Sequence, residues 1–156
     1  MIRVIGLGSP FGDDQAGWRV IDLLRARALS DIDLIALDRP GQSLINWLPD
    51  VDWLILVDAV SSQTPLGTVM RLDPECLDET SSGISSHGLH IGKALQLAST
   101  LGCLPPRVDT YGIEVGQPDL QALRSEVAGG ATALADSLIA CILTDRQYRA
   151  SASRGC

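Results

Sequence analysis

Near its beginning the chain has the sequence VIGLGSPFGDDQAGW, from Val4 to Trp18, which predicts a strand, a glycine turn and the start of a helix. The residues up to Ile5 are apolar and β-branched, as in a strand that is buried on both faces. Gly6, Gly8 and Gly12 supply the bends that a chain needs to turn sharply into a helix. This combination is typical of the first unit of an α/β protein.

One functional interpretation of the Gly6-Leu7-Gly8 turn is a nucleotide-binding α/β domain. The fingerprint G-x-G-x-x-G would need a third glycine at position 11, where the chain has Phe11. Asp13 and Asp14 also occupy the helix start, where they would repel a phosphate and attract a cation. The nucleotide-binding domain, with Asp38 holding a ribose hydroxyl, stays an alternative.

Composition limits the class of protein. The 156 residues are 46% hydrophobic, which predicts one globular domain. The net charge of -7 makes nucleic acid and anionic membranes unexpected partners. We find no apolar run near the roughly 20 residues that cross a bilayer, and no leader segment ahead of the first strand. We therefore expect a cytoplasmic protein, and we expect it to be a monomer.

Apolar runs alternate with segments of helical periodicity along the rest of the chain. The predicted strands cover about 33–38, 52–58, 67–72 and 107–113, and the predicted helices 16–28, 43–48, 89–101 and 125–143. The alternation predicts a three-layer α/β/α fold with a mostly parallel sheet of about five strands.

Polar residues fall where ligands bind in such sheets, beyond the carboxyl ends of the strands. Asp13-Asp14 follows the first strand, Asp58 ends the most apolar run, and His87 precedes a helix. An unpaired buried carboxylate is costly, so Asp58 needs a partner. Two carboxylates and an imidazole suit a divalent ion such as zinc or nickel. The simpler alternatives, helix caps for the acids and a surface position for the histidine, stay open.

These elements together resemble the hydrogenase maturation endopeptidases, which process the large subunit of nickel-iron hydrogenases. That family opens with a strand, G-x-G-N, a short apolar segment, and D-D or D-E followed two residues later by glycine. Residues 6–17 match this pattern, with Ser9 in place of the asparagine. The resemblance continues through Asp58, the Ser-Ser-His element at 85–87, and Tyr111-Gly112-Ile113-Glu114.

The resemblance implies an aspartic-type endopeptidase that cuts a C-terminal peptide from the nickel-loaded precursor of the large subunit. It implies that Asp14, Asp58 and His87 are the metal ligands and catalytic residues. The nickel would arrive with the precursor, so no resident cofactor is expected. Asp38 and Gly41 would help to recognise the substrate. The branch that serves bidirectional NAD-linked hydrogenases is the most similar.

The resemblance covers residues 1–144, which we expect to form a single peptidase domain, followed by a flexible tail over 145–156. His90 matches no ligand of the family. Asp13 is a candidate general base, although a helix cap is the simpler role for it. A generic hydrolase with a resident zinc ion is a further alternative.

Overall fold

The computed structural model describes residues 1–73 and 86–152, with side chains at all of these positions except 86–90 and 152. The strands are β1 (Ile2–Gly8), β2 (Ile32–Asp38), β3 (Trp53–Val60), β4 (Val69–Leu72) and β5 (Arg107–Glu114). The helices are α1 (Ala16–Ala26), α2 (Ser86–Thr100) and α3 (Ser125–Ala152), with short 3₁₀ helices at Gly12–Gln15 and Gly41–Trp47.

The five strands form one sheet in the order β2-β1-β3-β5-β4. The first four in this order are parallel, and β4 pairs antiparallel with β5 at the edge. This confirms the mostly parallel sheet. From β1 the chain crosses to β2 on one side and later to β3 on the other. The strand order therefore reverses between β1 and β3, where α/β sheets open a crevice at their carboxyl ends.

Helices cover both faces of the sheet, because neighbouring residues of a buried strand point to opposite sides. On one face Val4 and Ile55 pack in a cluster with residues of α1 and α3. On the other face Ile5 and Leu54 pack with residues of α2 and of the Gly41–Trp47 turn. These two clusters are the core, and they confirm the three-layer α/β/α fold.

The last helix is longer than its periodicity predicts. The predicted end at Leu143 is wrong, because α3 continues to Ala152. Arg149 Nε lies 2.7 Å from Asp145 Oδ2 one turn away, and Arg107 Nη1 lies 3.3 Å from Asp145 Oδ1. These ion pairs stabilise the extra turns and tie them to β5. Residues 145–152 are therefore helical, and 153–156 lie outside the described residues.

The sequence-based expectation about membrane spans also needs a correction. By length and composition alone, the segment Ser125–Ser151 of α3 is apolar enough to cross a bilayer. Its residues Val127, Leu134 and Leu138 are buried against the sheet. A core helix of an α/β domain meets the same criteria, so this is weak evidence for a membrane span.

Candidate functional site

A cavity of about 260 Å³ lies at the carboxyl ends of the central strands. It sits at the reversal of the strand order, where ligands of α/β folds bind. Four segments contribute to it: the turn after β1, the end of β2, the end of β3, and the loop after β5. The lining residues are Ser9, Phe11, Asp14, Arg39, Ala59, Ser61, Val115, Gly116, Pro118 and Leu120.

Asp58 lies inside β3, whereas the sequence predicted it at the strand end. The strand continues because Ala59 and Val60 are buried and pair with β5. The alternation that places Leu54 and Leu56 on the α2 face also places Asp58 there. Its side chain is 1% exposed.

The Asp58 carboxyl group is only partly satisfied. Oδ1 accepts a hydrogen bond from the Ala59 N–H at 2.9 Å. Oδ2 has no hydrogen-bond partner within the described part of the chain. Burial raises the pKa of Asp58 to about 7, the Ala59 N–H opposes the rise, and the charge of Asp14 adds to it. The carboxyl group therefore exchanges a proton near neutral pH.

Asp14 lies in the 3₁₀ helix that follows the glycine turn, and it lines the cavity. Ser9 N–H donates to the Asp14 carbonyl at 3.2 Å, which folds the turn back on β1. Gly8 permits this fold, because a Cβ there would lie 2.0 Å from the Asp14 carbonyl oxygen. The structure thus brings Asp14 near enough to Asp58 for its charge to act on that carboxyl group.

The sequence predicted that His87 precedes the helix, but α2 begins at Ser86, three residues before the predicted start at Leu89, so His87 falls in its first turn. The C-terminal end of α2 leads into the start of β5, so its N-terminal end lies at the carboxyl edge of the sheet. The side chains of Ser86 and His87 lie outside the described part of the structure, as does the whole of Ser85. Among the side chains that are described, no three acids, histidines or cysteines form a group that would hold a metal ion.

Asp38 and Gly41 flank Arg39 in the sequence, and Arg39 lines the cavity. Asp38 ends β2, pairs in register with Gly8, and is exposed, with its Oδ1 3.3 Å from Arg39 Nε. Gly41 has a φ of 52° and open space where a Cβ would stand. Their role in substrate recognition stays a prediction.

Asp13 has neither of the roles that the sequence suggested. It makes no helix-cap hydrogen bond, and it is fully buried. Its carboxylate accepts from Arg124 Nε at 2.6 Å, from Arg124 N at 2.8 Å and from Asp119 N at 2.9 Å. Both oxygens are thus occupied, so Asp13 anchors the loop after β5 and is unsuited to act as a general base.

Glu114 is a structural acid that sequence reasoning did not assign. Its buried carboxylate accepts from Ser62 N at 2.7 Å, Gly116 N at 2.7 Å and Thr64 Oγ1 at 3.1 Å. Burial alone raises its pKa, but the hydrogen bonds from Ser62, Gly116 and Thr64 hold the pKa below its ordinary value. Glu114 joins two loops of the cavity wall. In the sequence, only its place in the Tyr-Gly-Ile-Glu element indicated that Glu114 has a role.

The glycine turn does not favour the nucleotide-binding alternative. A Cβ at Gly6 would lie 2.2 Å from the Gly17 carbonyl oxygen, and Gly8 packs equally closely against Asp14. These glycines let α1 and the turn pack against β1. The chain itself fills the space that a pyrophosphate would need.

Comparison with known proteins agrees with this architecture. The family model of hydrogenase maturation proteases, HycI, matches residues 19–139, a span that includes Asp58 and His87 and begins after Asp14. The comparison with curated proteins gives no match.

Several solved structures share the fold. The hydrogenase maturating endopeptidase HybD from E. coli is 22% identical, with a TM-score of 0.76 over 92% of this chain and 93% of that one. The hydrogenase 2 maturation peptidase from Thaumarchaeota archaeon SCGC_AB-539-E09 is 27% identical, with a TM-score of 0.66 over 90% and 97%. The protease HycI from Thermococcus kodakarensis KOD1 is 22% identical, with a TM-score of 0.68 over 92% of both chains.

The family match covers well over half of the chain, and the fold agrees along nearly its whole length. The protein therefore belongs to the hydrogenase maturation protease family and is a peptidase, a hydrolase of hydrogenase maturation.

Proposed function

We propose that this peptidase removes a C-terminal peptide from the nickel-loaded precursor of the large subunit of a nickel-iron hydrogenase. Asp14, Asp58 and His87 bind the nickel that the precursor carries. The observation that supports this most directly is the buried Asp58 Oδ2, which lacks a hydrogen-bond partner among the described residues. The charge of Asp14 acts on this carboxyl group, and the next residue, Ala59, lines the cavity that holds Asp14.

A cation is the partner that this carboxyl group favours. A buried carboxylate without a partner is unfavourable, and the raised pKa of Asp58 expresses that cost. A second hydrogen-bond donor would satisfy only Asp58 Oδ2. A divalent ion would also reduce the charge repulsion between Asp14 and Asp58. The imidazole of His87 would complete a ligand set suited to nickel.

The protein supplies few ligands because the substrate supplies the others. Three protein ligands leave coordination positions open, as in catalytic metal sites. When bound, the ion polarises the scissile carbonyl and lowers the pKa of a water molecule. Asp58, with a pKa of about 7, can take up or release a proton at its carboxyl group at neutral pH. Asp38 and Gly41, which flank the cavity residue Arg39 in the sequence, contact the precursor.

The cellular location and the partner of the reaction are part of the proposed function. The enzyme acts as a cytoplasmic monomer on the precursor protein, with no nucleic acid or membrane as a partner. The net charge of -7 supports the absence of polyanionic partners.

Incubation with a purified large-subunit precursor, with and without nickel, tests the proposal by mass measurement of the product. We expect a shortened precursor only with nickel. Asp14→Asn, Asp58→Asn and His87→Ala should each slow cleavage by more than about 100-fold, because ligands matter more than their supporting residues.

Two variants serve as matched controls. Asp50→Asn changes an exposed acid at the opposite edge of the sheet, and His90→Ala removes the neighbouring histidine. Both should process the precursor like the unmodified enzyme. Full processing by Asp58→Asn or His87→Ala, or equal processing without nickel, would contradict the proposed role of the ion.

A further inference from the structure

Phe11 and Leu120 are large apolar side chains that remain exposed beside Asp14. Phe11 is 56% exposed and Leu120 is 60% exposed, and both line the same cavity as Asp14. Phe11 is also the only phenylalanine in the chain. Exposed apolar side chains that cluster at a concave site mark a surface that binds a partner.

The position of these two side chains is built into the backbone. The Asp13 N–H donates to the Asp119 carbonyl at 2.7 Å, which joins the turn after β1 to the loop after β5. Gly12, with a φ of 48°, lies between them, and a Cβ there would stand 1.8 Å from the Asp119 carbonyl oxygen. The residues next to this contact, Phe11 and Leu120, are thereby held side by side.

The Asp13–Arg124 pair fixes the same contact from inside the protein. Arg124 donates from Nε to Asp13 at 2.6 Å and from Nη2 to the Gln117 carbonyl at 3.1 Å. The Asp13 carboxylate is fully buried and the Arg124 side chain is partly buried, so displacing either segment would leave a buried charge without its partner. Phe11 and Leu120, which we call the apolar wall, are therefore held in place before a ligand binds. Such preorganisation lowers the free-energy cost of binding.

We infer that Phe11 and Leu120 form a subsite for an apolar side chain of the polypeptide substrate next to the scissile bond. The inference rests on the proposed function, and the occupant follows from the continuity of this wall with Asp14. An endopeptidase holds its substrate chain on both sides of the bond that it cuts. The cavity of about 260 Å³ is smaller than a typical pocket for a drug-sized ligand, so it takes part of a chain.

The test measures binding and cleavage of a nickel-loaded large-subunit precursor by Phe11→Ala and Leu120→Ala variants. We expect about a tenfold rise in the Kd for the precursor and in KM for each variant, with kcat within about twofold of the unmodified enzyme. The thermal midpoint should stay unchanged, because both side chains are exposed. Leu101→Ala and Tyr148→Ala remove equally exposed apolar groups elsewhere, and their Kd and KM should not change.

A series of precursors identifies the occupant. Each of the three residues on either side of the scissile bond is replaced in turn by aspartate. At one position the replacement should raise Kd for the unmodified enzyme about tenfold and have little further effect on Phe11→Ala, because contacting groups are not additive. Unchanged Kd and KM in both alanine variants would overturn the inference. If the unmodified enzyme bound the precursor without cutting it, the proposed function would fail, and the Kd values would still decide the subsite.

Discussion

Two buried aspartates, Asp13 and Asp58, have opposite environments, and this difference decides what each one does. Asp13 is buried with three donors on its carboxylate, whereas Asp58 is buried with one. The first holds the loop after β5 in place through its hydrogen bonds. The second keeps a raised pKa, and groups with perturbed pKa values cluster at functional sites.

The stability of the metal-free protein should therefore fall as the pH rises from about 4 to about 7. In this range the folded protein keeps a proton on Asp58 that the unfolded chain, with a pKa near 3.8, has lost. The free energy of unfolding drops until the pH passes 7, by at most about 4 kcal/mol. Denaturant titrations at a series of pH values measure this slope. Asp58→Asn should flatten it and Asp50→Asn should retain it; an unchanged slope in Asp58→Asn would rule out this origin.

Asp13→Ala should destabilise the protein by roughly 2–4 kcal/mol, because it leaves two backbone N–H groups and the partly buried Arg124 without their acceptor. The matched control is Asp136→Ala, which removes an exposed ion pair with Arg27 and should cost no more than about 1 kcal/mol. Urea unfolding of the two variants makes the comparison. Equal costs would show that the Asp13 pair contributes no more than a surface pair does.

At the scale of the elements, two neighbouring glycines in α3 have different surroundings. A Cβ at Gly130 would lie 2.2 Å from the carbonyl oxygen of Gly67, so the helix approaches that turn at this position. A Cβ at Gly129 would meet nothing within 4 Å. From the sequence alone, both glycines are predicted to lower the stability of the helix equally. Only at Gly130 does the packing require a glycine.

The two alanine substitutions should therefore change stability in opposite directions. Gly129→Ala should stabilise the protein by roughly 0.5–1 kcal/mol, because glycine is a poor helix former. Gly130→Ala should destabilise it by roughly 1–3 kcal/mol, because the turn at Gly67 must move. Thermal unfolding of each variant gives the sign. A stabilising Gly130→Ala would mean that the helix and the turn are not in close contact.

Local pattern predicted the elements well, because each strand and most helix faces are defined by residues close together in sequence. The β-branched run before Gly6 and the apolar run before Asp58 gave two central strands. Pattern failed where the deciding partner is distant. Arg124 binds Asp13 across 111 positions, and no periodicity shows it. The strand bounds near Asp58 also differed, because pairing with β5 extends β3.

At the scale of the whole molecule, the candidate site depends on segments that meet only after folding. The turn after β1 brings Asp14, β3 brings Asp58, and the loop after β5 closes the cavity wall. The sequence predicted that these segments share one edge, because parallel strands align their carboxyl ends. The effect of the Asp14 charge on Asp58 depends on the distance between them, which the sequence does not contain.

Metal analysis of protein purified without added ions tests whether the enzyme binds the ion by itself or receives it with the precursor. We expect substoichiometric nickel and zinc, because a site with open positions holds its ion firmly only when substrate ligands complete it. Addition of the nickel-loaded precursor to the unmodified enzyme should yield a nickel-containing complex. Formation of this complex should be strongly impaired in the Asp14→Ala variant. Stoichiometric zinc in the isolated protein would instead support a hydrolase with a resident metal.

The sheet order has a consequence for biosynthesis. β1 precedes all other strands in the chain, yet it lies between β2 and β3, and β3 needs β5 on its other side. A nascent chain that has not emerged from the ribosome beyond residue 106 lacks both β5 and the wall of the cavity that follows it. Domains fold as units, so proteolytic activity arises only near the end of translation. We therefore expect translation products that end before β5 to lack proteolytic activity.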